Sequence, residues 1–169
     1  MAVIEKFLGQ RVEIPEDRKY HVKQGLWAKT QEDGMVFGFT APALVLAGGI
    51  GDLDWLVGEA VSVKQGQDVV FAITGKILYI DSPIQGTIFF NPAVKQNLSL
   101  VLEDPYGKGW LFRIKPDADS AASGQTAMDA KGYTESLTGT DGFKNPEGLK
   151  GGASGICKAV YSGIRDQKI

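Results

Sequence analysis

The sequence predicts a mainly β fold with a few short helices, a small sandwich or barrel followed by an extended tail. Three observations carry that prediction. Short runs rich in β-branched and aromatic residues recur between Gly, Pro, Asp and Asn through the first 116 of 169 residues. A hydrophobic fraction of 43% against 22% charged residues is a globular balance, with enough apolar material for one core. From Asp117 onward small and polar residues dominate, and apolar residues stand singly, so neither the helical nor the strand period persists. The expected division is a domain over residues 1–116 and a Gly-rich tail over 117–169.

The elements follow in chain order. "GMVFGFT" (34–40), "AVSVK" (60–64), "DVVFAI" (68–73), "KILYI" (76–80), "GTIFF" (86–90) and "GWLFRIK" (109–115) read as strands. "APALVLAG" (41–48) lacks strand alternation and reads as a short buried helix. "PAVKQNLSLVL" (92–102) sets Val94, Leu98, Val101 and Leu102 at helical spacing, with Asn91 as N-cap and Pro92 at the first helical position. Residues 69–80 form a hairpin whose turn is expected at Thr74–Gly75, since Gly tolerates a left-handed backbone. In the tail, Ile156, Val160 and Ile164 lie on one side of a short terminal helix.

Composition and motifs exclude several functions. A net charge of -2 supplies no field for nucleic acid or an anionic membrane. No apolar run suits a signal or a membrane span, and the single cysteine, Cys157, allows neither an intramolecular disulfide nor a multi-cysteine metal site. A soluble protein of a reducing cytoplasm is expected. "TGK" (74–76) fails as a phosphate-binding loop, because no glycine stands five residues before Gly75 and Ile77 replaces the Ser/Thr. "GGIG" (48–51) lacks dinucleotide-loop spacing. His21 has no second histidine or nearby cysteine to share a metal and is expected at the surface. Asn97-Leu98-Ser99 matches a glycosylation acceptor that a cytoplasmic chain never uses. No nucleophile sits beside a base and no carboxylates pair, so an enzyme with its own active site is not expected.

"NPAVKQNLSLVLEDPYGKGWLFRIKP" (91–116) closely resembles the C-terminal half of the H protein of the glycine cleavage system. Glu103, Asp104, Pro105, Tyr106, Gly107, Gly109, Trp110, Lys115 and Pro116 fall in place without a gap. "IPEDRKY" (14–20), Trp27, "GFT" (38–40), "VKQG" (63–66) and "SPIQG" (82–86) agree more loosely. The resemblance covers roughly residues 14–116. It implies a lipoyl-domain-like barrel or flattened β-sandwich, with a lysine at the hairpin tip that is amidated by lipoic acid. Counted forward from Gly66, Lys76 takes that place; counted back from Pro83, Gly75 does, so the return limb is one residue short. The family's Glu-Ser-Val-Lys-Ala is here Ile73-Thr74-Gly75-Lys76-Ile77, and its His-Glu beside Trp27 is Gly25-Leu26.

Two functions of different class follow. In the first, the chain is a non-catalytic accessory subunit without lipoate, whose tail docks on a larger complex through Tyr133, Phe143, Leu149 and Tyr161. In the second, it is a swinging-arm carrier of an aminomethyl group, electrons or sulfur, with covalent lipoate on Lys76. The missing acid and short return limb favour the first, and a native protein without a lipoyl group is expected. The tail favours it too: apolar anchors on a flexible chain suit a surface-wrapping segment that orders on binding. Cys157, beside Lys158, is either a mobile thiol or a small apolar contact.

Overall fold

The computed structural model describes residues 2–117 and 127–148. Eleven strands, five short α-helices and one 3₁₀ turn build it. Before the predicted strands come β1 (Ala2–Phe7), β2 (Gln10–Ile14), β3 (Lys19–His21) and β4 (Leu26–Gln31). Then follow β5 (Gly34–Phe39), α1 (Ala41–Ala47), β6 (Asp52–Trp55), β7 (Val61–Val63), β8 (Asp68–Ile73), β9 (Ile77–Asp81) and β10 (Gly86–Phe90). The chain continues through α2 (Pro92–Gln96), α3 (Ser99–Glu103), β11 (Phe112–Pro116), α4 (Ala130–Ser136), the 3₁₀ turn Leu137–Gly139 and α5 (Asp141–Lys144). The strands form flattened sheets and do not close into a barrel: a six-stranded sheet β3-β4-β5-β11-β10-β7, a three-stranded sheet β6-β8-β9, and the hairpin β1-β2.

The six-stranded sheet is covered on one face and, at β3, β4 and β5, on part of the other. One face sends Leu26, Phe37, Ile88, Phe112 and Ile114 against Leu53, Val70, Ala72 and Ile80 of the three-stranded sheet. The other sends Tyr20, Trp27 and Val36 against Phe7, Val12 and Ile14 of the β1-β2 hairpin, and against Ala130, Tyr133 and Leu137. Alternation along the strands creates the two faces. Trp27 pairs with Gly38 across β4 and β5, and a Cβ on Gly38 would come within 2.7 Å of the indole. Its Nε1–H donates to the Pro105 carbonyl at 2.9 Å.

The segment with the strongest family likeness is tied together by polar contacts. Asn91 is buried; its Oδ1 accepts from the Ala93 N–H and its Nδ2 donates to the Lys108 and Trp110 carbonyls. The Tyr106 hydroxyl donates to the Glu13 carbonyl at 2.6 Å and accepts from the Ala41 N–H at 2.9 Å, joining β2 to α1. The Arg18 guanidinium lies 4.6 Å from the Trp27 ring and 5.4 Å from that of Tyr106. The predicted helix 92–102 is two helices. Asn97 leaves helical geometry and its side-chain oxygen accepts from the Ser99 hydroxyl at 2.5 Å, a local bond that competes with the helix.

Three expectations change. First, residues 127–148 do not form an extended segment. Met128 bridges to Tyr20 through both backbone groups at 2.8 Å, Asp129 caps α4 by accepting from the Gly132 N–H, and α4 packs into the second core. The boundary expected at 116 therefore cuts through one packed unit, because a helical stripe of Ala130, Tyr133 and Leu137 was concealed among small residues. Second, His21 is 5% exposed, not at the surface, and among the described residues its Nδ1 has no hydrogen-bond partner. Third, Gly75 does not adopt a left-handed backbone; Gly25 does, at φ 67°, where a Cβ would stand 2.4 Å from that of Ala43. The close approach of α1 and the positive φ together require glycine at this position in this chain. The terminal helix predicted at 156–164, and Leu149, Cys157 and Tyr161, lie outside the described residues.

Burial of His21 disfavours its charged form and lowers its pKa. The unfolded chain then binds the proton more readily. The stability this neutral histidine allows is fully present above about pH 6.5 and is lost as pH falls through the lower folded value. Asp17, held down to about 2 mainly by the hydrogen bonds of Arg18 and Lys29, titrates below that window. The melting temperature of the native chain should therefore fall between pH 7 and pH 5, and His21→Gln should flatten the slope. Equal slopes for both proteins would refute this.

Candidate functional site

The hairpin expected at residues 69–80 is present, and its construction explains how Lys76 is held. β8 and β9 pair antiparallel from Asp68↔Asp81 to Ile73↔Ile77, with a register shift between Asp68 and Val70. The bulge lets Val69 and Val70 both be buried. Beyond it alternation resumes: Val70, Ala72 and Ile80 face the core, while Phe71, Ile73, Ile77 and Tyr79 face outward.

The turn has three residues, Thr74, Gly75 and Lys76, not the two expected. The Thr74 N–H donates to the Lys76 carbonyl at 2.8 Å, and the Thr74 hydroxyl both donates to that carbonyl at 3.0 Å and accepts from the Lys76 N–H at 3.2 Å. Outside the hairpin, the Gly75 N–H donates to the Ala47 carbonyl at the end of α1, and the Gly51 N–H donates to the Ile73 carbonyl. The base is pinned too, since the Gln24 amide donates to the Asp81 carbonyl and accepts from the Asp81 N–H. Backbone restraint at both ends leaves a fixed apex. The Lys76 side chain is exposed, and among the described residues its ammonium has no ion pair or hydrogen bond.

The other candidate residues are not near this apex. Tyr133 is 2% exposed and stacks on Tyr20 with ring centroids 4.8 Å apart; its hydroxyl shares a 2.6 Å hydrogen bond with Thr40. Phe143 meets the Phe7 ring edge-on at 6.1 Å. Both were expected as partner contacts, and both are taken up by the domain's own second core, whose apolar groups they complete. What the sequence reading passed over is the apolar surround of Lys76. Ile77 and Tyr79 are each 58% exposed and Ile73 38%, and the residues were legible only as strand formers. Among the described residues no three His, Cys, Asp or Glu side chains gather as a metal site, and no helix is long and apolar enough to cross a membrane.

Comparison with known proteins agrees with this architecture. The family model described as glycine cleavage H-protein matches residues 18–140, from β3 through α4 to the turn before α5. A glycine cleavage system H protein 5 of Aquifex aeolicus is 33% identical over 132 residues, covering 74% of this chain and 87% of the relative. A glycine cleavage system H protein of Alteromonas mediterranea is 36% identical over 131 residues, covering 73% and 95%. The crystal structure of a glycine cleavage system H protein from Mycobacterium marinum superposes with a TM-score of 0.63 at 24% identity, over 73% of this chain and 98% of that one, a likeness of fold.

Proposed function

The chain belongs to the glycine cleavage H-protein family, and we propose that it works as a lipoyl carrier with Lys76 as the attachment residue. The observation that carries the proposal is the position of Lys76, exposed in a turn whose backbone is fixed from both sides while its ammonium has no partner among the described residues. The short return limb had argued against this reading. The three-residue turn accommodates the shortening by taking Lys76 into the apex, so the lysine stays where a ligase could reach it. When bound, a lipoyl amide supplies a dithiolane able to carry an aminomethyl group, electrons or sulfur. The chain's own contribution is to hold Nζ at a rigid tip and to give up a charge there on amide formation, which eases entry of the arm into apolar pockets. The partners on this reading are larger enzyme subunits that load and discharge the arm, and the protein itself catalyses nothing.

A second reading, the unlipoylated accessory subunit, is supported by Ile73, which stands where the family places an acidic residue. Its remaining tail anchors are Leu149 and Tyr161. The test is incubation of the purified full-length chain with lipoate, ATP and a bacterial lipoate–protein ligase, followed by peptide mass analysis. The expected result is one lipoyl group on Lys76 and none on Lys76→Arg. No modification of the native chain, with modification restored in Ile73→Glu, would overturn the carrier reading and support the accessory one.

A further inference from the structure

The outer face of the three-stranded sheet is uncovered among the described residues. It presents four apolar side chains in a block: Phe71 and Ile73 on β8, opposite Tyr79 and Ile77 on β9. The Phe71 and Tyr79 rings lie 5.6 Å apart. Acidic residues border the block. Asp52 and Asp54 of β6 stand across from Ile73 and Phe71, and Asp68 and Asp81 face each other at the far end. Of these four, among the described residues only Asp54 is ion-paired, to Lys95 at 2.6 Å. A contiguous exposed apolar patch with an acidic rim is the imprint of an occupant with apolar anchors and basic flanks.

The chain contains such a segment. Residues 149–169 hold four basic residues, Lys150, Lys158, Arg165 and Lys168, against a single acid, Asp166, in a protein whose net charge is -2. Among them stand Ile156, Val160, Tyr161 and Ile164. The point from which this segment departs is favourable. Gly148 lies beside the β1-β2 turn, where the Gly9 N–H donates to the Pro146 carbonyl at 2.6 Å. Gln10 and Arg11, next along that turn, line one cleft together with Gly48 and Gly49. Those glycines directly follow Ala47, whose carbonyl holds Gly75 in the Lys76 turn. Seven residues, 149–155, five of them Gly, Ala or Ser, span up to about 23 Å when extended before Ile156 is reached.

We propose that residues 156–168 of the same molecule dock on the outer face of β8 and β9, with their apolar residues on Ile73, Ile77 and Tyr79 and their basic residues toward Asp52 and Asp81. The segment then lies beside Lys76 and competes with any protein that approaches the apex over this face. The interaction is electrostatically assisted and weakens with added salt.

The single thiol of the chain makes the test direct. A nitroxide is attached to Cys157 of the full-length protein, and paramagnetic broadening of backbone amide signals is mapped by NMR. The expected result is selective loss of signal at Ile73, Ile77 and Tyr79, reversed in Asp52→Lys/Asp81→Lys and reduced at high salt. A well-dispersed spectrum of the variant verifies that it is folded. Uniform or absent broadening overturns the proposal. Broadening seen only when isotope-labelled, nitroxide-free chains are mixed with nitroxide-bearing ones also overturns it, because the occupant would then be a second copy. None of these results depends on lipoate.

Discussion

Tyr133→Ala should lower the unfolding free energy by about 3–5 kcal/mol, the range for deleting a large buried aromatic side chain. Tyr133 is essentially closed to solvent, its ring stacks on Tyr20 with an 8° tilt, and its hydroxyl meets Thr40. Burial is also the main reason its phenol pKa is pushed up to about 12. Truncation at this position opens a cavity between α4 and the six-stranded sheet, and Tyr20, whose hydroxyl donates to the Pro15 carbonyl, loses one wall of its site. Tyr133→Phe should cost far less, roughly 0.5–1.5 kcal/mol, since Thr40 Oγ1 still accepts from the Ala43 N–H. Chemical denaturation of both variants decides the matter. Equal, small effects would mean that the second core does not need this residue and that the segment is an appendage.

Gly86→Ala should destabilise by roughly 1–3 kcal/mol, toward the upper end of the range for an overpacked interior. Gly86 lies in β10 between Val63 of β7 and Pro116 of β11. A Cβ there would stand 2.2 Å from the Lys115 carbonyl oxygen and 2.8 Å from Ile114 Cγ2. The first obstacle is backbone, which cannot swing aside as a side-chain end can, so β10 and β11 have to separate. Gly139→Ala is the control: among the described residues nothing lies within 4 Å of its Cβ position, and the change should be near neutral. Thermal melts of the two variants that coincide would contradict the packing described for β10.

Different parts of the structure were legible for different reasons. β5, β8, β9 and β10 are short segments rich in β-branched and aromatic residues between turn formers, and Asn91 announces its helix by capping. β6, "DLDW", and β3, "KYH", are too short and polar to stand out, and they become strands because neighbours supply the hydrogen bonds and cover one face. α4 contains Gly132, Thr134 and Ser136, poor helix formers, so local propensity concealed it. Asp129 followed by apolar residues at 130, 133 and 137 is the signal that could have disclosed it. For the site, the sequence identified Lys76, but its place within the turn depends on carbonyls of Ala47 and Lys76 and on the Thr74 hydroxyl, which no local pattern encodes. The exposure of Ile77 and Tyr79 depends likewise on which face of the sheet remains uncovered.

Peptide mass analysis of protein isolated from its native host tests the carrier claim most directly. The account predicts that the peptide containing Lys76 is heavier by the mass of one lipoyl group, and that every other lysine peptide is unmodified. An unmodified Lys76, in cells whose other lipoyl proteins carry the group, would contradict it.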